Sequence, residues 1–228
     1  MGSTTTTCTL FKFSKSQINA LKQSTMSFQQ AKHKPSTYAI MASHIWRCVC
    51  KARGLPYDQE VRLYIPVNGR SRLKDPSLPQ GYFGNVLFRG VCISKAGDVA
   101  YKSLRCTLNK VQDTLTRMNN EYLRSAIDYL SLNPELTSLN PSLTWIQQES
   151  SPNLSINSWI GIPFSEANFG SGGPSYVRLG AVGYEGQTLI MPSSNGDGSL
   201  TVSINLSLSH MNLLKDCIYD FVEIHSSL

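Results

Sequence analysis

Apolar positions recur along this chain with two periods, and the changes of period mark its elements. In "STYAIMASHIWRCVCKARG" (36–54), Tyr38, Met41, Ala42, Ile45 and Val49 fall three or four residues apart, one stripe of an α-helix. Ser36 and Thr37 stand where that helix needs an N-cap, and Gly54 and Pro56 end it. In "SKSQINALKQ" (14–23), Ser14 followed by Gln17 forms a capping box ahead of Ile18 and Leu21. "VRLYIPV" (61–67) alternates instead, with Val61, Leu63, Ile65 and Val67 on one face of a strand. A loop carrying Gly69, Pro76, Pro79 and Gly81 leads to a second strand, "NVLFRGVCI" (85–93). Leu104, Leu108, Val111, Leu115, Met118 and Tyr122 restore the helical period, and the pattern predicts one long helical region reaching Leu132, before Pro134.

Beyond Pro134 the chain reads as strands: "LSINSWIGIP" (154–163), "QTLIMPS" (187–193) and "SLTVSINLSL" (199–208), the last two joined by the hairpin turn "SNGDG". Ser209 caps a predicted final helix whose Leu213, Leu214, Cys217, Ile218 and Phe221 face inward. The threonine-rich opening reads as a flexible start over residues 1–13, and residues 1–228 as a single domain. The class is α/β, a mixed sheet with packed helices.

Composition narrows the function classes. The chain has 228 residues, 41% of them hydrophobic, enough to bury a full core. No apolar run approaches the roughly 18 residues of a membrane span, and "MGSTTTTCTLFKFSK" lacks the pattern of a signal peptide, so a cytoplasmic location is expected. Six scattered cysteines read as free thiols, and Cys48-Val-Cys50 has no second ligand pair at zinc spacing, so no metal is expected. Residues 1–74 carry twelve Lys/Arg against two Asp/Glu, and the remainder nine against thirteen. That basic third suits an anionic partner. The basic residues are not interleaved with aromatics and no helix-turn-helix pattern occurs, so neither nucleic acid nor membrane is an expected partner.

Positions 166–174, "EANFGSGGP", pose the question of a phosphate loop. No Gly-x-x-x-x-Gly-Lys-Ser/Thr string is present, and the glycines are followed by "SYVRLG", which has no helical stripe. Without a helix N-terminus behind them they lack the dipole that holds phosphate, and they read as a tight, buried turn between strands.

The same stretch resembles a diverged Asp-Phe-Gly-Trp-Gly signature of the BAHD acyltransferases, plant enzymes that move acyl groups from coenzyme A to alcohols or amines. "STYAIMASHIWRCVCKARGLP", "VNGRSRLKDPSLPQGYFGNVLF", "MNNEYLRSAIDYL", "NLSINSW", "GYEGQTLIMPSSNGDGSLTVSINL" and "HMNLLKDCIYDF" match the C-terminal half of hydroxycinnamoyl-CoA:shikimate/quinate hydroxycinnamoyltransferases, in order. The resemblance implies a chloramphenicol-acetyltransferase-like fold, of which this chain is one of two domains. It further implies acyl-CoA as co-substrate with no covalent cofactor, a small-molecule acceptor, a role in plant secondary metabolism, and a complementing N-terminal domain as partner.

The family's His-x-x-x-Asp motif supplies the general base, and this chain lacks it. His33 leads to Thr37, His44 to Cys48 and His210 to Leu214, while His225 lies too near the end. There is no Gly-x-Ser-x-Gly elbow, and Cys48 and Cys50, at helical spacing from His44, read as core residues. No catalytic residue is therefore assigned, and the chain reads as a half-enzyme without its catalytic-motif domain. The alternative is a non-catalytic remnant or a module that binds CoA esters.

Matching positions carry the remaining expectations. Ser36, Thr37, Tyr38, Gly84 and Asn85 correspond to the CoA- and acyl-binding channel. The hydroxyls at a helix N-terminus, with Lys32 and Lys34 upstream, suit an anionic cofactor. Asn157, Trp159, Gln187 and Leu189 correspond to the acceptor pocket. Asn168, Phe169, Gly170 and Gly172 form the structural signature, in which Asn168 replaces an Asp expected to pair with Arg70 or Arg72, and Ser171 replaces Trp. Residues 140–159 contain no basic residue, which argues against a shikimate- or quinate-type acceptor.

Overall fold

The computed structural model describes residues 5–25, 34–79, 81–138, 151–175, 177, 179–180, 184–193 and 196–221. Six strands form one sheet in the order β1-β6-β5-β4-β2-β3. They are β1 (Thr6–Phe13), β2 (Glu60–Asn68), β3 (Leu87–Lys95), β4 (Leu154–Ser158), β5 (Gln187–Pro192) and β6 (Leu200–Ser207). The central pairs β2–β4 and β4–β5 are parallel, and the outer pairs are antiparallel.

The helices are α1 (Lys15–Thr25), α2 (Thr37–Arg53), α3 (Ala96–Tyr101), α4 (Leu104–Arg117), α5 (Asn120–Leu132), the short α6 (Glu135–Ser138) and α7 (Leu208–Cys217). The Ser14–Gln17 capping box forms in both directions, at 2.8 and 3.2 Å. At the head of α2 the Ser36 hydroxyl accepts from the Ala39 N–H at 3.1 Å, and Gly54 closes the helix in the left-handed region. Helix α2 is wrapped by α1, α3, α4 and α7 and buried on nearly all sides, not along one stripe. It packs with the inward strand positions, among them Phe13, Leu63, Ile65, Ile156, Val202 and Ile204, in one core.

Four expectations are corrected. The residues read as a flexible start include β1, which pairs with β6 from Thr6↔Ser207 to Phe13↔Leu200 and buries Phe11 and Phe13. Its threonines are β-branched and suit a strand, but its partner lies at the far end of the sequence. The single long helix is two, because Met118 leaves the helical region and the Asn119 side chain accepts from the Tyr122 N–H at 3.0 Å to cap α5. The strand expected to run to Pro163 stops at Ser158 and turns at Ile160–Gly161. The final helix is capped by Ser207, not Ser209, and its Leu213 is 54% exposed.

Candidate functional site

Parallel β2, β4 and β5 end at the same edge of the sheet, the place where open α/β sheets collect ligands. Helix α2 runs antiparallel to β4: Tyr38 at its start reaches Ile156, and Arg53 at its end reaches Pro152 and Asn153. The N-terminus of α2 therefore lies at that same edge.

A split in the sheet opens there. Pairing of β2 with β4 covers only Leu63↔Leu154 and Tyr64↔Ser155, after which β2 continues along β3 and β4 along β5. The Ser155 and Trp159 N–H groups point to β5, so the main chain of Ile156 points the opposite way, into the split. The Tyr38 hydroxyl donates to the Ile156 carbonyl at 2.9 Å, filling the place a strand would have taken. Burial pushes the Tyr38 phenol up, so it stays a neutral donor.

At the other end of α2, the Arg53 guanidinium donates to the Pro152 and Asn153 carbonyls at 2.8 and 3.1 Å and pairs with Glu185 at 2.6 Å. It thereby fixes where β4 starts and where the chain enters β5. Gly186 has φ +83°, and a Cβ there would meet the Asn153 carbonyl oxygen at 2.7 Å. Only glycine fits this clamp.

The positions matched to the CoA and acyl channel gather at the split edge. Ser36 is exposed, with its oxygen engaged as the cap. The Thr37 hydroxyl has no hydrogen-bond partner among the described residues. Lys34 is exposed just before them, while Lys32 lies outside the described residues. Gly84 and Asn85 lie in the β2–β3 loop, which returns to this edge. The Gly84 carbonyl accepts from Arg70, its missing Cβ leaves room for the Tyr82 ring, and Asn85 accepts from the Leu87 N–H at 3.1 Å. Phe83, just before Gly84, is fully exposed.

The positions matched to the acceptor pocket share the sheet face opposite the core. Asn157 is in register with Leu189, and Gln187 with Ser155, so strand alternation turns all four away from the helices. Trp159 follows the end of β4, with its ring 5.1 Å from that of Phe164. Sequence matching missed further members of this face: Tyr64, Ser203 and Asn205 are buried there, outside the main core. The alternation of "TVSINLS" held the signal, since Ser203 and Asn205 alternate with core-facing Val202, Ile204 and Leu206.

The signature loop differs from expectation. Its glycines are exposed, not buried, and the Asn168 side-chain oxygen accepts from the Gly170 and Gly172 N–H groups at 2.8 and 3.0 Å. Phe169 is 96% exposed. The expected pairing of Asn168 with Arg70 or Arg72 is absent among the described residues. Arg70 binds Asn68 and Gly84, while Arg72 donates to the Leu115 and Met118 carbonyls at 2.7 and 2.8 Å. Arg72 thus neutralises the open C-terminal end of α4, a pairing that the helix dipole favours.

His44 is buried, and desolvation lowers its pKa to about 4, so the ring is neutral and its Nε2–H donates to the Ile218 carbonyl at 2.7 Å. It serves the core. No cluster of metal-ligating residues occurs among the described residues, and none of the described helices is long and apolar enough to cross a membrane. A cleft of about 420 Å³ is lined by Ser71, Arg72, Lys74 and Asn119–Glu121.

Comparison with known proteins places this architecture. The sequence model of the Transferase family matches residues 2–221. Anthranilate N-benzoyltransferase protein 3 of Dianthus caryophyllus is 44% identical over 220 residues, covering 96% of this chain and 49% of the relative. Shikimate O-hydroxycinnamoyltransferase of Nicotiana tabacum is 44% identical over 216 residues, covering 95% and 48%. The chain spans about half the length of the curated relatives it matches. Among solved structures, F. graminearum TRI101 complexed with coenzyme A and deoxynivalenol superposes with a TM-score of 0.80 at 21% identity, covering 95% of this chain and 48% of that one, which establishes the fold. With the family model spanning nearly all of it and a sheet of this topology, the chain belongs to the Transferase family, the BAHD acyltransferases.

Proposed function

We propose that this chain is the C-terminal half of an acyltransferase that moves an aromatic acyl group, of the hydroxycinnamoyl class, from a coenzyme A thioester to an alcohol or amine. The observation that carries the reading is the split between β2 and β4, where Tyr38, the capped N-terminus of α2 and the Gly84–Asn85 loop stand beside the face bearing Asn157 and Leu189. The helix N-terminus and Lys34 suit the anionic portion of the donor, and Asn157, Trp159, Gln187 and Leu189 suit the acceptor. Support for the acyl class comes from the relatives, whose names specify benzoyl and hydroxycinnamoyl transfer.

In this reading the reaction needs a base from a His-x-x-x-Asp half. That base takes the proton of the acceptor hydroxyl or amine, the freed oxygen or nitrogen attacks the thioester carbonyl, and collapse of the tetrahedral adduct expels the CoA thiolate. A general base is worth 10²–10⁴-fold, and the missing half also removes positioning, so the chain alone gives no useful turnover.

The test mixes the purified chain with p-coumaroyl-CoA and a panel of alcohol and amine acceptors, with and without a complementing half carrying that motif. Mass spectrometry reads the product. Product only with the complement supports the half-enzyme. Rapid product from the chain alone overturns the need for a partner. Donor binding without product under either condition favours a CoA-ester-binding module.

A further inference from the structure

One cluster of reactive side chains plays no part in that function. Cys48 sits within α2 and Cys217 ends α7, 169 residues further along the chain. Cys48 Sγ lies 3.8 Å from the Cys217 carbonyl oxygen, and Cys217 Sγ lies 3.9 Å from the Cys48 carbonyl oxygen. This reciprocal approach sets the two residues face to face across the α2–α7 contact. Among the described residues the other cysteines have no such neighbour: Cys8 lies beside Ser203, Cys106 beside Ser103, and Cys50 and Cys92 are buried.

We propose that Cys48 and Cys217 form a reversible intramolecular disulfide on exposure to hydrogen peroxide, a modification that staples the last helix to the central one.

The surroundings set the order of events. Cys217 is half-buried and reachable, whereas Cys48 is 4% exposed. The Cys48 S–H is directed at the Cys217 carbonyl, and the approach of the two thiol groups holds the Cys217 thiol below the usual range and pushes the Cys48 thiol up. Lys51 also favours the Cys217 thiolate, while Asp216 and Asp220 oppose it. Arg47 lies near Cys48 as well, and His44 adjoins it, with Nε2 3.6 Å from Cys48 Sγ and its proton committed to Ile218.

The Cys217 thiolate attacks one peroxide oxygen, the O–O bond breaks, hydroxide leaves, and a sulfenic acid remains on Cys217. The Cys48 sulfur then attacks that sulfur, the S–O bond breaks, and the departing hydroxide takes the Cys48 proton to leave as water. Two thiols become one disulfide and one peroxide becomes two waters. A thiol reductant reverses the bridge.

The test uses the whole chain, reduced, exposed to hydrogen peroxide, alkylated and digested without reductant. Expected is a peptide pair joining Cys48 to Cys217, lighter by two hydrogens, lost on reduction and accompanied by a raised thermal midpoint. Cys217→Ser, at a half-exposed site, abolishes the bridge, and Cys106→Ser leaves it intact. A Cys217 that ends as sulfenic or sulfinic acid with Cys48 unlinked overturns the proposal. So does crosslinking only between chains through Cys8 or Cys106.

Discussion

The Tyr38 hydroxyl and the Ile156 carbonyl meet at 2.9 Å across 118 residues of chain, joining the first turn of α2 to the middle of β4. The bond occupies the point where β2 and β4 part. Without it the Ile156 carbonyl would face the split with no strand to receive it, and the mouth of the site would lose its fixed wall.

Tyr38→Phe keeps the ring and removes only the donor. A part-buried carbonyl left unpaired costs about 1–3 kcal/mol. Urea unfolding of the chain should show a lower midpoint with an unchanged slope, and an unchanged midpoint would mean that water replaces the hydroxyl without cost.

Arg53 carries a charge at 3% side-chain exposure, paired with Glu185 and two carbonyls. Arg53→Ala strands all three acceptors and should cost about 3–5 kcal/mol, the range for breaking a buried pair from one side. Thermal denaturation reads the loss, and Arg53→Lys, which lacks the planar fork, should recover only part of it.

Gly186→Ala attacks the same clamp through the backbone. Both the positive φ and the 2.7 Å approach to the Asn153 carbonyl oppose a side chain, so a loss above about 2 kcal/mol is expected. Calorimetry checks it, with Gly180→Ala, where a Cβ meets open space, as the neutral comparison.

His44 links stability to pH. Its folded pKa, lowered by burial to about 4, lies below the ordinary value of 6.5, so the unfolded chain binds the extra proton between the two. The contribution is full above about pH 6.5 and is lost as pH falls toward 4, to a total of about 3 kcal/mol. Denaturant midpoints at pH 7 and pH 5 should differ for the natural chain, and His44→Gln should flatten that difference.

Asn157→Ala and Trp159→Ala, assayed with the complementing half, should raise the acceptor KM on the order of tenfold while leaving donor KM near its original value, as loss of about one hydrogen bond or contact predicts. Equal effects on both substrates would remove these residues from the acceptor side.

Local patterns in the sequence determined much of this protein. The stripe in 36–54, the alternation in 61–67 and the Ser14–Gln17 box each depend on neighbours within a few residues, and each element stands where its period put it. The ordered motifs identified the family for the same reason, since residue type and spacing carry them. Tertiary structure alone decided the rest, because the deciding partners are remote. Thr6–Phe13 is a strand only because Leu200–Ser207 offers an edge, and Arg72 serves α4 because its carbonyls end within reach. Cys48 and Cys217 are neighbours only because α7 docks on α2. Spacing along a chain records which side chains share a face, but not which faces close on one another.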